Sequence, residues 1–414
     1  YAVEQNMLSE AEIDNVIKGN FKVMIRLGLL DPPENNPYAH IGKVESQAPW
    51  LTETHKSFAR LVTQESIVLL KNKNNLLPLN ENKIKSIAVI GPRADEVLFD
   101  WYSGSPPYAV SPLEGIRNYV GPDIKVNFSL DVNDENDLKM IKSSDAAIVC
   151  VGNHPTCSAG FGRSNNPEEG KEAVDRIFIT LKQEEVIKKV FKANPKTIVV
   201  LMCNFPYAIN WTNENVPAIL TTTNNSQELG NALADVLFGD YNPAGRLVQT
   251  WPKSLGQLPA MMDYDIRNGR TYMYFKDKPL YPFGYGLSYT TFKYSNLRTS
   301  SDSISEKGQI TVNVDITNTG PFAGDEVVQM YVKHLNSKIQ RPQKELKGFK
   351  RVTLRPKETK TVEIPLKAES LAYWNTDLQK FVVEHDKIKI ILGSSSADKK
   401  LEKTINVSGN NNES

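Results

Sequence analysis

The sequence predicts an α/β fold, a doubly wound and mainly parallel sheet, followed by an all-β sandwich. Three observations predict it. Between residues 84 and 223, short runs of uninterrupted apolar residues alternate with amphipathic stretches, the pattern of a parallel sheet covered on both faces. Beyond residue 295 the helical period disappears and apolar and polar residues alternate at period two. At 414 residues the chain is also too long for one ordinary domain.

Residues 6–27 read as one amphipathic helix. Leu8, Ile13, Val16, Ile17, Phe21, Met24 and Ile25 recur at helical spacing, and Ser9 with Glu12 makes a capping box. Gly28 supplies a stop, and Pro32–Pro33 prevent continuation. A helix this apolar needs a partner, so it reads as the end of something larger. The stretch 34–53 is loop-like, and a second helix is predicted through HKSFARLVTQESIVLLKN (55–72), ending before Leu77-Pro78-Leu79.

The strands then follow: SIAVIG (86–91), KVNFSL (125–130), AAIVCVG (146–152), TIVVLM (197–202) and AILTTT (218–223). DENDLKMIKSS, EEVIKKVFKAN and SQELGNALADVLFG are the helices between them. From 296 to 408, six or seven alternating segments separated by turn residues fit an immunoglobulin-like or fibronectin-like sandwich. The expected divisions are therefore 1–30, 31–79 (linker and helix), 80–255 (α/β), 256–295 (linker) and 296–408 (sandwich). The tail 409–414 is expected to be disordered.

Basic and acidic residues nearly balance, 49 against 48, and no Lys/Arg block stands out. Nothing points to a nucleic-acid or membrane-surface partner. No run of eighteen apolar residues exists. The chain starts at Tyr1 in mid-pattern, so a longer parent chain is expected. Cys150 and Cys203 end or lie in apolar runs and read as buried small hydrophobes, while Cys157 is a loop thiol. One disulfide is compatible with three cysteines, but scattered histidines argue against a metal. The glycines of GPRAD and FGYG are turn glycines, and no phosphate-cradling pattern follows a strand, so no cofactor is expected.

Six stretches, in order, carry a family resemblance. QESIVLLKNKNNLLPL (64–79), IAVIGPRAD (87–95), LADVLFGDYNPAGRLVQTWP (233–252) and YPFGYGLSYTTF (281–292) resemble the second domain of family 3 glycoside hydrolases. DITNTGPFAGDEVVQMYV and ELKGFKRVTLRPKETKTVEIPL resemble that family's fibronectin III-like module. The resemblance implies part of an exo-acting retaining β-xylosidase or β-glucosidase that removes terminal β-linked xylose or glucose from oligosaccharides; the alternative is a non-catalytic carbohydrate-binding or interaction fragment. It implies a preceding TIM-like barrel as partner, with residues 1–30 as that barrel's last helix. The family's nucleophile lies on the barrel in an S-D-W-like segment, and no S-D-W occurs here. A secreted or periplasmic home and a role in xylan breakdown are further implications, and homo-oligomerisation is left open.

The same resemblance puts the acid/base glutamate on the loop 152–176, GNHPTCSAGFGRSNNPEEGKEAVDR. Glu168, Glu169 and Glu172 compete there. The family often carries a glutamate three residues before an Asp-Arg pair, and Asp175–Arg176 is such a pair, which makes Glu172 the first choice and Glu169 the second. Without the resemblance, all three read as solvated loop charges. Arg176 either pairs with Asp175 to hold the loop or contacts substrate. His154 either bonds a sugar hydroxyl or is simply exposed. Trp101, Tyr102 and Tyr108 offer flat faces for sugar, or else pack at a domain interface. The aromatics of YDIRNGRTYMY (264–274) are expected to seal the barrel interface.

Overall fold

The structure, a computed structural model, describes residues 1–39, 41–43, 48–100, 102–156, 176, 178–223 and 226–408. It divides into two compact units, Tyr1–Lys56 and Ser57–Ser414.

The first unit contains helix α1 (Glu10–Arg26). It starts four residues later than its apolar pattern suggests, because Ser9 is the cap. The Ser9 amide donates to Glu12 Oε2 at 2.8 Å, and the Glu12 amide donates to Ser9 Oγ at 3.3 Å. Gly28, at φ +66°, supplies the stop. No residue of α1 is buried, and Val16, Phe21 and Ile25 stand exposed.

Helix α2 (Glu53–Ser66) leads into the second unit, and here the structure corrects the sequence reading. The predicted helix ends six residues early, and its apolar tail becomes strand β1 (Val68–Asn72). There follow β2 (Ser86–Ile90), α3 (Pro112–Val120), β3 (Lys125–Ser129), α4 (Glu135–Ser143), β4 (Ala146–Gly152), α5 (Glu184–Ala193), β5 (Thr197–Met202), α6 (Asn210–Asn215), β6 (Ala218–Thr222) and α7 (Leu229–Phe238). The strands form one sheet in the order β1-β6-β5-β4-β2-β3, parallel except for β1, which pairs antiparallel with β6.

Both faces of this sheet are covered, which explains the uninterrupted apolar runs. All seven residues of β4 are buried, and they alternate between two cores. Ala146, Ile148 and Cys150 pack with α3 and α7, whereas Ala147, Val149 and Val151 pack with α4, α5 and α6. Helices α3 and α7 touch backbone to backbone. A Cβ on Gly115 would lie 2.0 Å from Gly230 C, so only glycine fits that crossing.

The rest of the chain is all-β. Strands β7 (Phe292–Thr299), β8 (Ser303–Ser305), β9 (Gln309–Asn318), β10 (Gly324–His334), β11 (Glu345–Leu354), β12 (Thr359–Lys367), β13 (Tyr373–Asn375), β14 (Lys380–Val382), β15 (Asp386–Gly393) and β16 (Leu401–Ser408) form it. Sheets β11-β10-β15-β16-β8 and β12-β9-β7 enclose a core that includes Ile310, Val312, Val314, Ile316, Val328 and Met330. β13 and β14 make a separate hairpin. More strands are present than the period-two pattern revealed, because β8, β13 and β14 have three residues each, too few to display alternation.

Tyr272 stacks on Phe283 at 4.4 Å and meets Tyr331 of β10 edge-on, and its hydroxyl accepts from the Leu346 amide of β11 at 2.8 Å. That aromatic of the 264–274 stretch therefore serves the sandwich. Tyr264 is 79% exposed.

Candidate active site

The parallel strands end on one edge, and the strand order reverses between β2 and β4: β3 lies beyond β2, while β5 and β6 lie beyond β4. Crevices at such a reversal are where open α/β sheets bind ligands. Gly152 closes β4 at φ +141°, and a Cβ there would lie 1.7 Å from the Met202 carbonyl oxygen. Gln183 clamps the same residue, accepting from the Gly152 amide and donating to its carbonyl, both at 3.0 Å. The chain thus leaves β4 in a fixed direction.

Asn153 follows, fully buried. Its amide donates to the Met202 carbonyl at 3.2 Å, and its Oδ1 accepts from the Asn204 amide at 3.2 Å, so the ends of β4 and β5 are tied together. From the end of β2, buried Arg93 donates through Nε to the Gly152 carbonyl at 3.4 Å and pairs with Glu96. His154 is half-buried. Its Nδ1 accepts from the Thr156 amide at 3.2 Å, which leaves Nε2 to carry the proton of the neutral ring.

Arg176 lies where the 157–175 segment rejoins the described chain. Its guanidinium sits 3.7 Å from the Phe205 ring centroid and 4.6 Å from that of Tyr207, and Nη1 donates to the Pro206 carbonyl at 3.2 Å. Nε and Nη2 are buried and have no hydrogen-bond partner among the described residues. Burial pulls the guanidinium below its ordinary pKa. Cation–π stacking therefore anchors this arginine, and two donors remain unspent.

Glu168, Glu169, Glu172, Asp175, Cys157 and Trp101 lie outside the described residues, so an Asp175–Arg176 pair is not among the described contacts. Tyr102 is 73% exposed on the loop after β2, its amide donating to Asp100 Oδ1 at 2.8 Å, and Tyr108 is half-buried. The structure thus sets His154 after β4, Arg176 against the residues that follow β5, and Tyr102 on the exposed loop after β2. Sequence reasoning missed Arg93, Asn153, Asn204, Phe205 and Tyr207. Their signal was position: polar or aromatic residues directly after an apolar strand of a parallel sheet.

Beside Phe205, residues including Asn204, Thr222, Arg246 and Trp251 line a cleft of about 380 Å³. Thr222 Oγ1 and Arg246 Nε in it are buried and unpartnered. Cys150 and Cys203 are free and buried, and desolvation pushes their thiols up to about 12 and about 11, so neither is a ready nucleophile or disulfide partner.

Residues 67–289 match the glycosyl hydrolase family 3 C-terminal domain, and residues 326–396 match the fibronectin type III-like domain. The chain belongs to glycoside hydrolase family 3. A β-xylosidase of Formosa agariphila is 42% identical over 367 residues, covering 83% of this chain and 49% of the relative. A periplasmic β-glucosidase of Salmonella typhimurium is 35% identical, covering 95% of this chain and 55% of its own. A solved β-glucosidase from Erythrobacter marinus superposes with a TM-score of 0.80 at 30% identity, covering 98% of this chain and 57% of that one. The β-glucosidase of Listeria innocua in complex with isofagomine gives 0.80 at 28%, covering 99% and 57%. The chain spans about half the length of the curated relatives it matches. Among the described residues, no helix is long and apolar enough to cross a membrane.

Proposed function

We propose that this chain supplies the acid/base half of the active site of an exo-acting, retaining β-glycosidase. Its substrate is a terminal, non-reducing β-linked xylose or glucose on an oligosaccharide, with xylan fragments a natural source. The nucleophilic carboxylate resides on a preceding barrel, and the enzyme works outside the cytoplasm, secreted or periplasmic. The observation that carries the reading is the origin of the 157–175 segment. In sequence, its glutamates fall between Thr156, which follows the clamped end of β4, and Arg176, stacked on Phe205 after β5. Relatives named β-xylosidase and β-glucosidase support the substrate class.

In this mechanism Glu172 protonates the glycosidic oxygen as the barrel carboxylate, its carboxyl group about 5–5.5 Å from that of Glu172, attacks the anomeric carbon. The deprotonated Glu172 then removes a proton from water, which hydrolyses the covalent intermediate and regenerates both groups. His154 bonds a sugar hydroxyl. Arg176, stacked on Phe205 and Tyr207, contacts substrate or pairs with Asp175.

The test uses the longer, barrel-containing protein. Glu172→Ala should slow hydrolysis of unactivated glycosides by about 10²–10⁴-fold. Activated aryl glycosides should be far less affected at the first step, because a good leaving group needs little protonation. Azide should restore their turnover, since an anion needs no base. Glu168→Ala and Glu169→Ala should show neither behaviour. The pattern at Glu169 moves the role by three residues, and its absence from all three overturns the assignment.

A further inference from the structure

The β13–β14 hairpin carries an exposed aromatic pair. Trp374 and Phe381 are direct cross-strand partners, so both project from the same face. Their rings meet at 5.2 Å and 76°, with Trp374 48% and Phe381 71% exposed. The other face does the packing. Val382 is buried, and the Arg341 guanidinium lies 4.8 Å from the Tyr373 ring. Single exposed apolar side chains are ordinary, but two large rings held in register are not.

The hairpin is rigid. Asn375 Oδ1 accepts from the Asp377 and Leu378 amides, both at 3.0 Å, and Gln379 Nε2 donates to the Thr376 carbonyl at 2.7 Å. Phe381 also walls a cavity of about 640 Å³ whose lining includes Glu306, Lys307, Gln309, Lys367 and Glu369. The charges there balance, two of each sign, and Lys367 pairs with Glu369 at 3.4 Å. A site for an anion or a cation would show an excess of one sign. Two rings also fall far short of the roughly 800 Å² per partner that a stable protein interface buries.

We propose that this hairpin and cavity form a binding site for a neutral β-linked glycan. The axial C–H face of a pyranose lies against the Trp374 or Phe381 ring, and the hydroxyls turn toward Gln309 and the balanced charges. Such a site would hold the enzyme on its polymer while chain ends are consumed. It does not rest on the assignment of Glu172.

Affinity gel electrophoresis of the 414-residue chain, in gels containing soluble xylan or soluble mixed-linkage β-glucan, tests this. Retardation by at least one neutral glycan is expected, unchanged by added salt. Trp374→Ala and Phe381→Ala should each weaken it about tenfold, and Trp374→Phe should retain most of it. Both side chains are exposed, so melting temperatures should not move. Phe349→Ala, which removes another exposed aromatic outside the hairpin, and Glu172→Ala should bind as the parent. Absence of retardation in both gels overturns the proposal. So does a Trp374→Ala/Phe381→Ala chain that binds like the parent, or retardation abolished by salt.

Discussion

His334 shows how burial sets the behaviour of a single side chain. Its Nδ1 meets Asp386 Oδ2 at 2.7 Å, with the two side chains 3% and 1% exposed. Asp386 is further occupied by the Asn336 and Lys387 amides. Desolvation, helped by Arg341, lowers the imidazole pKa and outweighs the opposing pull of Asp386 and Glu345. Nε2 is buried with no partner, so a second N–H there would have no acceptor. The folded pKa lies below the unfolded one, so the unfolded chain takes up the proton first as pH falls. Stability linked to His334 is full above the unfolded value near pH 6.5 and is lost as pH falls through the folded pKa. In urea titrations, the advantage of the parent over His334→Gln should be larger at about pH 7.5 than at about pH 5.5. An advantage that grows on acidification would contradict this account.

At the scale of elements, α2 and β1 show how context overrides a local period. Ile67 and Leu69 enter one core while Val68 and Leu70 enter the other, which requires alternation at period two and therefore a strand. The free edge of β6 supplies the partner. Helix α2 is fastened separately. Arg60 Nε donates to Asp235 Oδ2 at 2.6 Å, Arg60 Nη2 pairs with Oδ1, and Gln64 Nε2 donates to Oδ2 at 2.5 Å. Asp235 is buried in α7, whereas the arginine side chain is 42% exposed. Solvent screening of that exposed end discounts the pair, so Arg60→Met should cost about 1–3 kcal/mol in urea unfolding. Asp235→Leu added to it should recover part of the loss, since no buried carboxylate is then left without its cation. Losses that simply add would mean the two residues act independently.

At the scale of the whole molecule, the α/β sheet and the sandwich form one unit. Arg246 Nη2 reaches Glu326 Oε2 at 3.2 Å, and Tyr294 donates to Glu326 Oε1 at 2.6 Å. Burial still pushes the Glu326 carboxyl above its ordinary pKa. Arg351 ties Glu65, Asp325 and Tyr241 together across the same boundary. On the proposed reading, the second carboxylate that the chemistry needs lies on a preceding barrel. The 414-residue chain should therefore show no turnover of aryl β-xylosides or β-glucosides above background, whereas the barrel-containing protein should turn them over. Turnover by the shorter chain near that of the longer one would place the nucleophile within these residues and overturn the reading.

The five parallel strands and the long sandwich strands could be read from sequence because each residue's burial repeats at short range. β4 is apolar throughout because both its faces are covered, and β9 alternates because one face is. The Ser9–Glu12 cap was legible for the same reason, since its partners lie three residues apart. Local period says which face is buried but not against what. It therefore missed β1, whose partner β6 comes some 150 residues later, and α3, whose length is short and whose crossing depends on Gly230. The candidate site divides along the same line. The sequence by itself marked the loop after β4 and its glutamates. Only the tertiary structure set Arg176 on Phe205 and Tyr207 and locked Gly152 against Met202, because those contacts join strand ends that the sheet, and not the chain, makes neighbours.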